Sequence, residues 1–155
     1  MTTPSTTCLI CGSTFTARHS YGLCPQCIRR DTLREYDRLR SASRFADRAK
    51  LPNTLTLLQW LSVVSDWRGK CALCEEMVHH EIAMLNPIAG LVWENVVPVC
   101  RSCSQHLHHG FETALKKARE YLTANVGRTE EDIRLEDVEL DDEELFNLFR
   151  EEEVK

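Results

Sequence analysis

Hydrophobic positions recur every three or four residues in three stretches of the chain. Leu33, Tyr36, Leu39, Ala42, Phe45 and Ala49 do so within 28–50, Leu57, Trp60, Leu61, Val64 and Trp67 after residue 55, and Phe111, Leu115, Ala118 and Leu122 before Gly127. This spacing puts one apolar stripe on each of three α-helices, and each stripe is expected to face a core. Thr56 and Gln59 have capping-box spacing at the start of the second helix, and Arg68-Gly69 closes it, the glycine supplying the left-handed backbone of a helix end. Pro52, in Leu51-Pro-Asn-Thr, separates the first two helices. Between the second and third, residues 77–85 read as a strand, Asn86-Pro-Ile-Ala-Gly90 as a turn and Leu91-Val-Trp93 as the return strand.

Cysteine spacing changes this picture most. All 8 cysteines fall in Cys-x-x-Cys pairs: Cys8 with Cys11, Cys24 with Cys27, Cys71 with Cys74 and Cys100 with Cys103. Two such knuckles bring four thiolates to one point, which suits a tetrahedral zinc ion better than structural disulfides. Two structural zinc ions are therefore expected, one on 8–27 and one on 71–103. A redox role for a Cys-x-x-Cys would need a strand-helix-strand setting, which is absent. The first quartet has the pattern of a zinc ribbon or treble clef, in which metal replaces a core too small to fold alone. His19, in the loop it encloses, is expected on the surface because four sulfurs complete the shell.

The expected class is α+β, built of small zinc-stabilised modules. They are a zinc-ribbon-like module at 1–28, a long basic helical connector at 29–51, a ββα zinc domain at 52–127 and an acidic tail at 128–155. Residues 28–50 hold 8 Arg or Lys against 4 Asp or Glu. Arg30, Arg34, Arg38, Arg44 and Arg48 could track phosphates there, or form internal pairs such as Asp31 with Arg34 and Arg44 with Asp47 on a solvated face. From 128 onward there are 13 acids and 4 bases, so the net charge of -5 conceals a body with 15 bases against 11 acids. The tail, whose Asp141 to Phe149 has the look of a capped helix, is expected either to stay solvated, to bind a basic protein partner, or to mask the basic helix. No apolar run approaches the roughly 20 residues of a bilayer span, and the first residues lack a signal-peptide pattern. A reducing, cytoplasmic setting without membrane partners is expected.

Leu55-Thr-Leu-Leu-Gln-Trp60, Gly69-Lys-Cys-Ala-Leu-Cys74 and Trp93-Glu-Asn-Val-Val-Pro-Val-Cys-Arg-Ser-Cys103 together resemble the zinc-containing HNH endonuclease family. The resemblance covers roughly 55–124, nearly half the chain. It implies a ββα unit and, in active members, one divalent metal, usually magnesium, on the scissile phosphate. Carried over by position, the family's metal ligand falls on His80, its histidine base on Glu81, its loop-holding asparagine on Asn95 and its helix ligand on Ser104. Glutamate is about two pKa units more acidic than histidine and serine is a poor ligand for a hard cation. The family's usual Gly-Gly is reduced to Gly90.

The resemblance thus implies a degenerate fold that keeps nucleic-acid binding, to DNA or within a nucleic-acid-processing complex, without cleavage. Arg101, Lys116, Lys117 and Arg119 would join the arginines of the first helix on phosphates. Two alternatives stay open. One is a metal-dependent nuclease with His80 and Glu81 in a variant centre, using magnesium or manganese. In that case a one-residue shift could bring in His79, with His106, His108 or His109 as the helix ligand, though it would break the strand alternation at Ile82. The other is a protein-interaction module in which zinc only holds the fold.

Overall fold

The structure is a computed structural model and describes residues 5–16, 22–27, 29–105, 112–135 and 138. His19, His106, His108, His109, Phe111 and the proposed helix at 141–149 lie outside the described residues. The architecture is mixed α+β, with two small antiparallel sheets and helices packed around them.

The chain opens with a hairpin, β1 (Ser5–Thr7) against β2 (Thr14–Thr16), with Thr6 opposite Phe15. The Cys8 to Cys11 knuckle sits at its turn, tied by Cys8 N to Ser13 O at 2.8 Å and by Gly12 N to Cys8 O at 3.1 Å. Helix α1 (Arg30–Arg48) follows the second knuckle. Thr32 Oγ1 accepts from Arg29 N at 2.8 Å and donates to Cys27 O at 2.9 Å, which couples the helix start to that knuckle.

The face that α1 buries is rotated from the expected one. Ala46 is fully buried and Glu35 and Thr32 nearly so, while Phe45 and Ala49 are exposed. The sequence stripe follows the apolar side chains, but the helix turns toward the partners that its charged residues find. Helix α2 (Leu57–Asp66) begins as expected, with Gln59 N donating to Thr56 Oγ1 at 3.1 Å and Thr56 N to Gln59 Oε1 at 3.0 Å. Leu57, Trp60, Leu61, Val63 and Val64 are buried, and Arg68 and Gly69 both take positive φ at its end.

The second sheet differs from the expectation. Strand β3 is Glu81–Met84, shorter than 77–85, and its partner is β4 (Val96–Val99), with Glu81 opposite Val99 and Met84 opposite Val96. Residues 91–93 are not the return strand: Leu91 bridges Asn53, and Trp93–Asn95 form one 3-10 turn. Pro98 can sit in β4 because a two-stranded sheet leaves one side of each strand without a ladder. There its carbonyl accepts from Ala72 N at 2.7 Å.

All four β4 residues are buried, for both faces of the strand are covered. Val97 and Val99 pack with Cys71, Leu73, Cys100 and Cys103 and with Leu115, Ala118 and Leu122 of the long C-terminal helix, Glu112–Asn125. Val96 packs on the other side with Trp60, Val63, Val64, Leu91, Trp93 and Ala46. A short helix, α3 (Arg101–Ser104), carries the last knuckle, and the Glu112–Asn125 helix is α4. Tyr121 of α4 packs edge-on against Trp67 at 5.4 Å and donates its hydroxyl to Asp66 Oδ2 at 2.6 Å.

A third cluster joins the N-terminal quartet to the rest. Cys8, Leu23 and Cys24 pack with Leu57 and Leu61 of α2, flanked by Leu33, Tyr36 and Leu39 of α1. Helix α2 therefore has one apolar side on each of two cores, which explains why five of its ten residues are buried apolar ones. The chain beyond 128 continues onto this body. Arg128 lies over the Trp93 ring at 5.1 Å, Ile133 packs on the Trp60 cluster, and Val138 packs on the Leu57–Leu61 cluster. No helix among the described residues is long and apolar enough to cross a membrane.

Candidate metal centres

The four sulfurs of Cys8, Cys11, Cys24 and Cys27 lie within 4.8 Å of one another, and so do those of Cys71, Cys74, Cys100 and Cys103. All eight are free thiols. Sulfurs bound to one zinc at about 2.3 Å in a tetrahedron stand about 3.8 Å apart. The Cys11 to Cys24 separation is 3.7 Å, which matches that edge and is far beyond a disulfide bond.

The backbone around each quartet is set for thiolates. Ile10 N and Cys24 N donate to Cys8 Sγ, Leu73 N to Cys71 Sγ and Cys103 N to Cys100 Sγ, all at 3.4 Å. Burial works against ionising Cys24, but amides of Cys27 and Gln26 and the Ser13 and Cys27 side chains outweigh it and hold the thiol near 6. Cys74 is held near 7 in the same way, burial being outweighed by the amides of Met77 and Glu76 and by neighbouring thiols. Cys27 and Cys103 go up instead, through burial and the sulfurs beside them. Four thiolates at this spacing repel, so some ionise only at the expense of others; a divalent cation at the centre removes the conflict. Both quartets are compatible with a structural zinc ion.

The second quartet is assembled by the hairpin. His80 N donates to Val99 O at 2.8 Å and Cys71 N to Met77 O at 2.8 Å, so the two knuckles meet at the same end of β3 and β4. Asn95 closes the opposite end. Its Oδ1 accepts from Asn86 N at 2.9 Å, and its Nδ2 donates to Asn86 O at 2.9 Å and Gly90 O at 2.8 Å. Asn95 is buried, so it acts as an internal clasp for the 86–90 loop.

His80 and Glu81 are both exposed. His80 Nε2 stands 2.8 Å from Arg101 Nη2, where it accepts the guanidinium's hydrogen bond. The Nε2 lone pair is thereby engaged by a guanidinium. Ser104 Oγ donates to Arg101 O at 3.2 Å, a local helix contact. Among the described residues, the groups that could hold a metal are the two cysteine quartets alone.

The remaining cationic candidates separate into groups. Arg44, Arg48, Arg101, Lys116 and Arg119 are exposed. Arg30 and Arg34 each have an interaction in the fold. Lys117 pairs with Glu75 and lies 5.8 Å over the Trp67 ring. Arg38 is half-buried and paired with Glu35. Helix α1 packs on α2 and beside β3, whereas α4 packs against the Trp93–Asn95 turn.

The chemistry that sequence reasoning missed is a buried polar cluster. Glu35 Oε1 lies 2.7 Å from His79 Nε2, and Glu35 Oε2 accepts from Trp60 Nε1 at 2.7 Å. Arg38 Nη1 bonds Glu35 and stands 2.8 Å from the same His79 nitrogen. His79 Nδ1 donates to Gly69 O at 2.8 Å. Burial pushes the Glu35 carboxyl up, but the His79 hydrogen bond, the His79 and Arg38 charges and the Trp60 hydrogen bond bring it below its ordinary value. Residues 25 and 44 apart in sequence meet here, and the only advance signal was a lone glutamate on the stripe side of α1.

No family model matches the chain, and no match to it is found among curated proteins or solved structures.

Proposed function

We propose that the chain is a non-catalytic nucleic-acid-binding module on a degenerate, zinc-braced HNH-like ββα unit. The observation that carries this reading is the contact between His80 Nε2 and Arg101 Nη2 at 2.8 Å. A guanidinium stands where the resemblance would put a metal-ligating bond, and it can hold a phosphate without activating water. Glu81 is an exposed carboxylate. In this reading the Asn95 clasp, the hairpin and α4 hold the unit's shape, and exposed Arg101, Lys116 and Arg119, with Arg44 and Arg48 of α1, supply phosphate contacts.

The test uses zinc-loaded protein with labelled duplex and single-stranded DNA, with magnesium or manganese, run on native and denaturing gels. The expected result is shifted, uncut DNA that salt releases, with a log–log slope of about one per neutralised phosphate. Replacing Arg101, Lys116 and Arg119 with Ala should weaken binding and flatten that slope. Cut DNA that becomes intact with Glu81→Ala would replace this reading with the variant nuclease. No shift at low salt would leave protein interaction as the function.

A further inference from the structure

The outward face of α1 is exposed along its C-terminal half. Arg40, Arg44 and Arg48 recur at four-residue spacing there, all exposed, and Phe45 beside them is 58% exposed. Of the acids on this helix, Asp47 accepts from Asn53 Nδ2 at 3.0 Å, and exposed Asp37 stands three residues before Arg40. A large aromatic ring in a row of arginines is a surface suited to an acidic segment that also carries apolar side chains.

The chain brings such a segment to this helix. Ile133 and Val138 anchor the stretch after α4, and Val138 sits on the cluster that Leu33, Tyr36 and Leu39 of α1 flank. Beyond it lie residues 139–155, with 8 acids against 2 bases and with Leu145, Phe146, Leu148 and Phe149 among them. Their 17 residues reach about 25 Å as a helix and more when extended, against about 28 Å for α1 with its 19 residues. Held at Val138, the segment has a high effective concentration at α1, so weak contacts suffice.

We propose that residues 139–155 dock along the outward face of α1, on Arg40, Arg44, Phe45 and Arg48, and compete there with nucleic acid. The docking itself stands apart from the binding reading above; the competition rests on it.

The experiment compares amide NMR spectra of the zinc-loaded full chain with those of the full-length variant D142N/E143Q/E144Q, each at about 0.05 M and about 0.5 M salt. The expected result is that the variant moves amides of residues 40–48 and that high salt moves the same amides in the unaltered chain only. The full-length variant R40E/R44E/R48E should in turn move amides within 139–155. Changes confined to the tail's own amides, or falling on α4 instead, overturn the proposal. So do changes that fade on dilution, which would place the contact between two copies. Duplex affinity is then measured on the same samples. A several-fold rise in D142N/E143Q/E144Q supports competition. Moved amides without any duplex binding keep the docking and remove the nucleic-acid reading.

Discussion

Glu35 shows how one side chain can redirect a helix. A carboxylate among apolar positions looks like an interruption of the α1 stripe, yet it is 3% exposed because His79, Arg38 and Trp60 all reach it. Removing it would leave the Trp60 indole N–H buried without its acceptor and take the carboxylate away from His79 and Arg38. Glu35→Ala should therefore cost about 3 kcal/mol in denaturant unfolding of the zinc-loaded protein. Glu35→Gln, which keeps an acceptor for Trp60, should cost less. Because the folded carboxyl is held below its ordinary value of 4.5, its contribution is complete above pH 4.5 and lost as pH falls through the lower, folded value. The stability gap between the unaltered chain and Glu35→Gln should close over that acid limb, and acid loss of metal common to both cancels in the difference. The cysteine quartets were legible because their spacing alone states the geometry they need. Glu35 and His79 were not, since nothing in local sequence says that two residues 44 positions apart will meet.

At the scale of elements, the 86–91 loop is the part most tightly specified by backbone contact. Gly90 has φ +88°, and a Cβ there would stand 2.4 Å from Pro52 O. Leu91 N donates to that same carbonyl at 2.8 Å, while Thr54 N and Leu55 N donate to Leu91 O. Gly90→Ala should lose about 3 kcal/mol or more, because both the φ and the contact resist it. Asn95→Ala should lose about 2–4 kcal/mol by freeing buried groups at both ends of the loop. Thermal melts of the zinc-loaded proteins check both. Capping at Thr56 and the helix end at Gly69 were readable, since each is settled within four residues. The return strand was not: Leu91-Val-Trp93 has the stronger strand composition, but the loop's bonds to Asn95 and Pro52 consume those residues first, and pairing starts at Val96.

Among the described residues the molecule has three cores: α2 joins the Trp60 cluster to the Leu57–Leu61 cluster, the hairpin joins the Trp60 cluster to the one around Cys71 and Val97, and cysteines of one quartet lie in each of the outer two. Each prepared chain should contain two zinc ions, measured by elemental analysis. Chelation should lower the melting temperature sharply, since a structural zinc supplies about 10 kcal/mol of apparent folding energy at neutral pH. Cys100→Ser should remove one ion and loosen α4, whose Leu115, Ala118 and Leu122 pack with Cys100 and Cys103. Cys24→Ser should remove the other and loosen α1 on α2, as Cys24 packs against Leu57 and Leu61. Acid should release both ions, because protons compete for the thiolates.

The hairpin that unites Cys71 with Cys100 also changes what the second ion has to do. In a free chain, bringing these residues together would forfeit loop entropy growing with the logarithm of the intervening length. Here the Glu81–Val99 register and the Ala72 N to Pro98 O bond draw the loop shut within the protein itself. The ion therefore locks a ring that strand pairing has already closed, and metal exchange at this quartet can proceed by local opening of a knuckle while the strands remain paired.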